Sequence, residues 1–340
     1  MTVIPPLEAP RAPQAARPHD ALARLLADDL RAVEAVIAAR MRSEAAPRIP
    51  QLAGHLIGAG GKRLRPMLVL ASARMLGYGG PHHVHLAAVV EFIHSATLLH
   101  DDVVDESRQR RGRPTANLLW DNTSSVLVGD FLFARAFQLM VEAGSLRVLD
   151  VLATAAATIA EGEVLQLVAA RDLSATEETY LRVARGKTAA LFAAATEAGA
   201  VIAGAEAGVA RALRDYGDAL GVAFQIADDL LDLEGGAEIG KDRGDDLREG
   251  KMTLPVIRAL ACASPEERAF WARVVGRGEV GTGDVERAVA IMRGHGAIES
   301  ARREAEGWAG RARAALEGLP AHPIRDVLRD LAAYVVARRA

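Results

Sequence analysis

The sequence predicts an all-α fold built as one large domain. Three observations lead there. Apolar residues recur at three- and four-residue spacing along nearly the whole chain, and sustained β-branched alternation is absent. The breaks between helical stretches are glycine and proline turns, with nothing in the middle of the chain that marks a linker.

Taken in order, residues 1–18 carry Pro5, Pro6, Pro10, Pro13 and Pro18 and cannot hold a regular helix. They are expected to form a mobile arm ahead of a domain spanning 19–340. From Asp20 the apolar positions Leu22, Leu25, Leu26, Leu30, Val33, Val36 and Ile37 lie on one helical stripe. Similar patterns follow at 67–76, 85–100, 123–142, 146–170, 177–200, 206–232, 254–262, 266–275, 284–293, 297–316 and 323–338. Turn-like breaks stand at Gly77–Pro81, Gly112–Pro114, Gly235–Gly236 and Gly276–Gly278. No repeat of 20–50 residues appears.

Composition narrows the function. Half of the 340 residues are apolar, enough for a sizeable core, and the net charge of −3 argues against a nucleic-acid surface. The single cysteine, Cys262, excludes an intrachain disulfide and reads as a small buried hydrophobe. The most apolar stretches are interrupted by Glu91 and His94, by Glu161 and Glu163, and by Glu197, so no membrane span is expected. The N-terminus lacks the pattern of a secretory signal, which leads to a cytoplasmic expectation.

The chemistry concentrates in two places. Asp101-Asp102-Val103-Val104-Asp105 and Asp228-Asp229-Leu230-Leu231-Asp232 are both DDxxD clusters set in apolar helical sequence. Residues four apart share a helix face, so Asp101 aligns with Asp105 and Asp228 with Asp232. Carboxylates this close repel unless a cation lies between them. Two such clusters facing each other form a cage suited to Mg²⁺ and a bridging diphosphate.

Basic groups surround the clusters in sequence. Gly60-Gly61-Lys62-Arg63-Leu64-Arg65-Pro66 joins backbone amides at a helix start to three cationic side chains, a good anion site. It lacks the spacing of a Walker A loop, as does Gly186-Lys187-Thr188. Arg108, Arg110, Arg111 and Arg113 follow the first cluster directly. The loop Gly240–Asp246 with Glu249-Gly250-Lys251 has the composition of a flap over a charged ligand. His94 stands two helical turns before Asp101.

On these motifs the chain resembles the trans-isoprenyl diphosphate synthases, over almost everything from residue 20 onward. The likeness also includes Gly129-Asp130-Phe131-Leu132, Lys187-Thr188, Phe224-Gln225 before the second cluster, and Gly250-Lys251-Met252-Thr253-Leu254-Pro255. It is closest to the long-chain bacterial members that make octaprenyl to decaprenyl diphosphate for ubiquinone side chains. The resemblance implies an isoprenoid-synthase-type bundle of antiparallel helices around a deep cleft, usually a homodimer.

Carried over by position, Asp101, Asp105 and Asp228 resemble the main ligands of about two to three Mg²⁺ ions, with Asp102, Asp229 and Asp232 in support. Lys62, Arg65, His94 and Arg111 are similar to the isopentenyl diphosphate site. Arg110, Lys187, Thr188, Gln225, Lys241 and Lys251 match the allylic-diphosphate site, which takes farnesyl or geranylgeranyl diphosphate. Gly186 departs from the Ser common before this lysine in relatives.

The implied reaction is head-to-tail prenyl transfer, with decaprenyl placed ahead of octaprenyl as product and a transient membrane contact for its release. Ala96 and Thr97, small residues one turn above Asp101, leave room for the growing tail, and Leu127, Val128, Phe131 and Leu132 are expected as the opposite wall. Ala96 also fits close helix packing. The alternatives are a shorter-chain farnesyl or geranylgeranyl synthase, a class I terpene cyclase, and a non-catalytic subunit of a heteromeric synthase. The basic turn and the two intact clusters argue against the last two.

Overall fold

In the computed structural model, which describes residues 17–110, 112–235 and 243–337, the chain is helical nearly throughout. The first helices are α1 (Pro18–Leu25), α2 (Ala27–Arg40), α3 (Arg48–Ile57), α4 (Leu64–Met75) and α5 (His82–Val104). Pro18 therefore opens α1 instead of closing the arm, at the first helical position, where a missing N–H costs nothing. After α5, a two-residue hairpin pairs Gln109–Arg110 with Arg113–Pro114 antiparallel, in the register Gln109 to Pro114. Gly112 supplies the left-handed turn residue there, at φ 73°.

The chain continues through α6 (Ala116–Leu119), α7 (Asn122–Glu142), α8 (Leu146–Ala169) and α9 (Glu177–Ala184). Then come α10 (Ala190–Ile202), α11 (Ala207–Glu234), α12 (Asp245–Glu249), α13 (Leu254–Ala261) and α14 (Pro265–Trp271). The last three are α15 (Asp284–Gly294), α16 (Ala297–Ala315) and α17 (Pro323–Ala337). Caps mark several starts: Asp121, Ser145 and Thr176 each accept from the backbone N–H three residues on, and Ser264 with Glu267 forms a capping box.

The centre is made of α4, α5, α10 and α11, which are buried on most sides. Leu68, Leu70, Phe92, Ile93, Phe192, Leu220 and Ile226 are fully enclosed. Close approach requires glycine at two crossings. A Cβ on Gly199 would stand 2.5 Å from the Val69 carbonyl oxygen, and one on Gly221 2.5 Å from the Ala189 Cα.

One expectation changes, and one helix bears on another. Cys262 is exposed, because it falls at the C-cap of α13 beyond that helix's apolar face. Helix α7 is long and apolar enough to cross a membrane, with mean hydropathy 1.4 over its window. One side of it packs along α5, burying Val128, Leu132, Ala136 and Leu139.

Candidate active site

One face of α5 builds half of the site. Glu91, His94, Leu98, Asp101 and Asp105 are three or four residues apart and all line one cavity of about 1020 Å³. The opposite side comes from Glu163 and Gln166 on α8, Thr179 and Tyr180 on α9, Lys187 and Thr188, and Gln225, Asp228 and Asp229 on α11. Asp101 and Asp228, far apart in sequence, thus open onto the same hollow. Asp246, Glu249 and Lys251 line it as well, as do Lys62, Arg63 and Arg65 of the basic turn.

Within each cluster the residues divide. Asp101 lies 3.5 Å from Lys187 Nζ, and Asp105 Oδ2 accepts from Lys251 Nζ at 3.5 Å. The second aspartates are turned into protein. Asp102 is 1 % exposed, and its Oδ1 takes Arg110 through Nε at 2.7 Å and Nη2 at 2.6 Å. Burial pushes the Asp102 carboxyl above the usual range, against the opposing pull of Arg110. Asp229 accepts from Tyr180 Oη at 2.6 Å and from Gln225 Nε2 at 2.8 Å, and Thr188 Oγ1 donates to Gln225 Oε1 at 2.5 Å. Burial, reinforced by Asp246, raises Asp229 well above an ordinary carboxylate.

Asp232 does not line the cavity. Its Oδ1 accepts the Asp245 N–H at 3.2 Å, so it holds the start of α12.

Lys187 and Thr188 stand on a π-helical turn, Arg185–Ala189, in what the apolar pattern reads as one helix. The reason for Gly186 is steric. A Cβ there would lie 2.8 Å from the Gly162 Cα, and one on Gly162 would lie 2.6 Å from the Lys187 nitrogen. The two backbones touch at paired glycines, which sets Lys187 beside Glu163, the neighbour of Gly162. Lys187 Nζ donates to Glu163 Oε2 at 2.7 Å. Burial, together with Asp101, raises the Glu163 carboxyl despite that lysine. Lys251 is half-buried, which alone would lower it, but Asp246, Asp105 and Glu249 hold it above its ordinary value.

The basic turn is arranged differently from the sequence expectation. Arg63 is not presented as an anion ligand: its guanidinium pairs with buried Glu91 and donates to the Ile57 carbonyl at 2.9 Å. Its backbone is left-handed at φ 47°, a conformation that costs a non-glycine residue about 1 kcal/mol or more. Arg65 stacks over Phe192 at 4.7 Å and reaches His94 Nε2 at 3.1 Å.

Thr97 lines the cavity, but Ala96 does not; it is fully enclosed in the core. The expected opposite wall is also corrected. None of Leu127, Val128, Phe131 and Leu132 lines the cavity, because α7 packs on the other side of α5. Leu127 is 61 % exposed. Arg111 and Lys241 lie outside the described residues.

Sequence reasoning missed Glu91, Glu163 and Tyr180 as parts of the site. For the two glutamates a signal existed: each interrupts an otherwise apolar helix, where an unpaired charge is costly. Tyr180 gave none, since a tyrosine at helical spacing reads as core.

Among the described residues, no three His, Cys, Asp or Glu side chains gather tightly enough to hold a metal by themselves. Mg²⁺ is commonly bound through one or two carboxylates plus substrate phosphates. Asp101 and Asp105 on the α5 side and Asp228 on the α11 side of the same cavity are hard oxygen donors of that kind, with Lys187 and Lys251 amines already drawn to the first two. The donor set fits.

The chain is 46% identical over 315 residues to octaprenyl diphosphate synthase of Escherichia coli (strain K12), covering 92% of this chain and 97% of that protein. Among solved structures, a decaprenyl diphosphate synthase from Rhodobacter capsulatus matches with a TM-score of 0.91 and 65% identity, covering 95% of this chain and 99% of that one. A polyprenyl synthase from Caulobacter crescentus CB15, complexed with calcium and isoprenyl diphosphate, matches with a TM-score of 0.92 and 51% identity, covering 96% and 100%. A family model described as polyprenyl synthetase matches residues 46–292, and with both aspartate clusters inside that span the chain belongs to the polyprenyl synthetase family of prenyl-transferring enzymes.

Proposed function

We propose that this protein is a long-chain trans-polyprenyl diphosphate synthase, adding isopentenyl diphosphate head to tail onto farnesyl or geranylgeranyl diphosphate. The observation that carries this reading is the single cavity shared by Asp101, Asp228 and the basic turn. Decaprenyl is placed ahead of octaprenyl because the neighbour that is 65% identical is a decaprenyl diphosphate synthase. The product suits a quinone side chain. The reaction belongs in the cytoplasm, with a brief membrane contact for release of the product.

Lys62, Arg65 and His94 hold the diphosphate of isopentenyl diphosphate, with Arg111 in the same role. Lys187, Lys251, Arg110, Thr188, Gln225 and Lys241 serve the allylic diphosphate. Asp101, Asp105 and Asp228 would hold Mg²⁺, which would supply Lewis-acid neutralisation of the leaving diphosphate. Glu163 keeps Lys187 beside Asp101, and the Tyr180–Asp229–Gln225–Thr188 chain fixes α11 against the π-helical turn. The allylic C–O bond breaks, the isopentenyl double bond attacks the resulting cation, and the departing diphosphate takes the proton lost. Side-chain work is therefore placement and charge, not base catalysis.

A homodimer is supported by apolar surface on α7 and α8. Leu127, Val141, Leu146, Val164 and Val168 are all more than half exposed.

Chromatography of dephosphorylated products made from farnesyl diphosphate and labelled isopentenyl diphosphate tests the assignment. An octaprenyl-to-decaprenyl ladder is expected. Products ending at geranylgeranyl would mark a short-chain synthase, and a cyclic hydrocarbon would mark a cyclase.

A further inference from the structure

The basic turn is fastened to three separate elements. His19 Nε2 of α1 lies 2.6 Å from the Lys62 carbonyl oxygen. Arg63 pairs with Glu91 of α5 and donates to the Ile57 carbonyl at the end of α3. Arg65 meets His94, one turn beyond Glu91 on the same face of α5. The middle fastening is unusual in its charge. Glu91 is 4% exposed and lines a cavity whose neighbouring groups suit an anion, where a carboxylate works against binding unless neutralised.

The backbone of the turn is held in an uncommon conformation. Gly60, Gly61 and Arg63 all have positive φ, at 86°, 147° and 47°, and Arg63 caps α4 without a side-chain hydrogen bond. Glycines contribute no side-chain packing, so the inward side chain of Arg63 is one of the few anchors the middle of the turn offers.

We propose that Glu91 is a positioning residue for the homoallylic substrate. By locking Arg63 in its left-handed conformation, it aims Lys62 and Arg65, on either side, at the diphosphate of isopentenyl diphosphate. Glu91 and His94 thereby tie both arginines of the turn to the helix that carries Asp101, so the two diphosphate sites keep a fixed separation. This rests on the function proposed above.

Steady-state kinetics of the full chain test it, varying each substrate against saturating levels of the other. Glu91→Gln keeps the shape but loses the ion pair. It is expected to raise KM for isopentenyl diphosphate about tenfold or more, with kcat and the allylic KM moving less than about twofold. Glu91→Asp recovers part of the loss. An unchanged isopentenyl KM, or an equal rise in both KM values, overturns the proposal. If Glu91→Gln does not fold, Arg63→Lys carries the same test, because a lysine cannot reach Glu91 and the Ile57 carbonyl together. Calorimetric titration with isopentenyl diphosphate separates the two levels of inference. A wild-type chain that neither binds nor incorporates it defeats the functional assignment and this proposal with it. Equal binding by wild type and Glu91→Gln defeats the positioning role alone.

Discussion

Asp105 is the C-cap of α5 and lines the cavity, where it meets Lys251. Asp232, its counterpart in the second cluster, lies within the last turn of α11, and its Oδ1 accepts the Asp245 N–H while its carbonyl accepts the Gly244 N–H at 3.1 Å. The two motifs have the same spelling, and their first two residues behave much alike: Asp101 and Asp228 reach the cavity, while Asp102 and Asp229 are buried and bonded to protein, Asp229 still bordering the cavity. The third residues part because the helices end differently. Helix α5 stops at Val104, and the chain leaves through Glu106 at φ 51°. Helix α11 runs on past Asp232 to Glu234, and the start of α12 takes up the carboxylate. A shared motif therefore predicts a shared role only as far as the backbone around it is shared.

The strongest way to break this comparison is to remove a first aspartate. Asp101→Ala and Asp228→Ala are each expected to lower kcat about 10³-fold or more, several kcal/mol of transition-state stabilisation. Incorporation of labelled isopentenyl diphosphate under saturating Mg²⁺ checks it. Near-native turnover in either variant would remove that cluster from the chemistry.

One turn above each first aspartate the two sides differ again. Phe224 stands above Asp228 and packs on Phe192, with ring centroids 5.4 Å apart. Thr97 and Leu98 stand above Asp101. Under the proposed function, the aromatic pair would obstruct the α11 side and leave the path along α5 for the growing tail. Thr97→Phe should shorten the product ladder by several prenyl units with initial incorporation retained. Ala96→Phe, in a closed core, should instead cost about 1–3 kcal/mol of stability. Chromatography and thermal melts of both variants separate these outcomes; an unaltered ladder in Thr97→Phe would move the tail elsewhere.

Much of this was legible in the sequence, and the limits follow from what each signal measures. Helical periodicity reports which face of a segment is apolar, so it recovers α5 and α11 and places the aspartates four apart on one face. It does not report a π-helical turn. The pattern across 177–200 hardly changes when one turn widens at Arg185–Ala189, and the cause lies at Gly162 in another helix. Spacing also cannot tell an inward cation from an outward one. Lys62, Arg63 and Arg65 read as equivalent until Glu91, contributed by α5, claims the middle one. The same blindness placed Ala96 on the wall: it adjoins Thr97 in sequence, but a step of one residue on a helix turns the side chain by about 100°.

The second aspartates offer a finer test, since their partners differ in charge. Asp102 faces a cation with 19% of its side chain exposed, whereas Asp229 faces the neutral donors of Tyr180 and Gln225. Asp102→Asn leaves Arg110 without its counter-ion and should cost about 3 kcal/mol, the low end for breaking a buried pair. An asparagine at 229 can accept from Gln225 and donate to the Tyr180 oxygen, so Asp229→Asn should cost only about 1 kcal/mol. Activity should fall about 10–100-fold in Asp102→Asn, as expected when a group supporting a ligand is lost. Denaturation curves with matched slopes decide it, and equal losses of stability would mean that the charge of the partner is immaterial.

The third aspartates give the most direct test of the difference between the clusters, and Asp232→Asn the smallest effect. Asp105→Asn removes a charge from the cavity wall and from Lys251, and should reduce kcat about 10–100-fold. Asp232→Asn keeps an oxygen able to accept the Asp245 N–H, and the lost charge lies off the cavity, so kcat should change by less than about threefold. Asp232→Leu, which cannot accept that bond, frees the start of α12 and with it Asp246 and Lys251. Its loss of activity should therefore appear as a higher KM for the allylic substrate before any fall in kcat. A large kcat defect in Asp232→Asn with KM unchanged would mean that Asp232 turns into the cavity once substrate is bound, and the two clusters would then be equivalent after all.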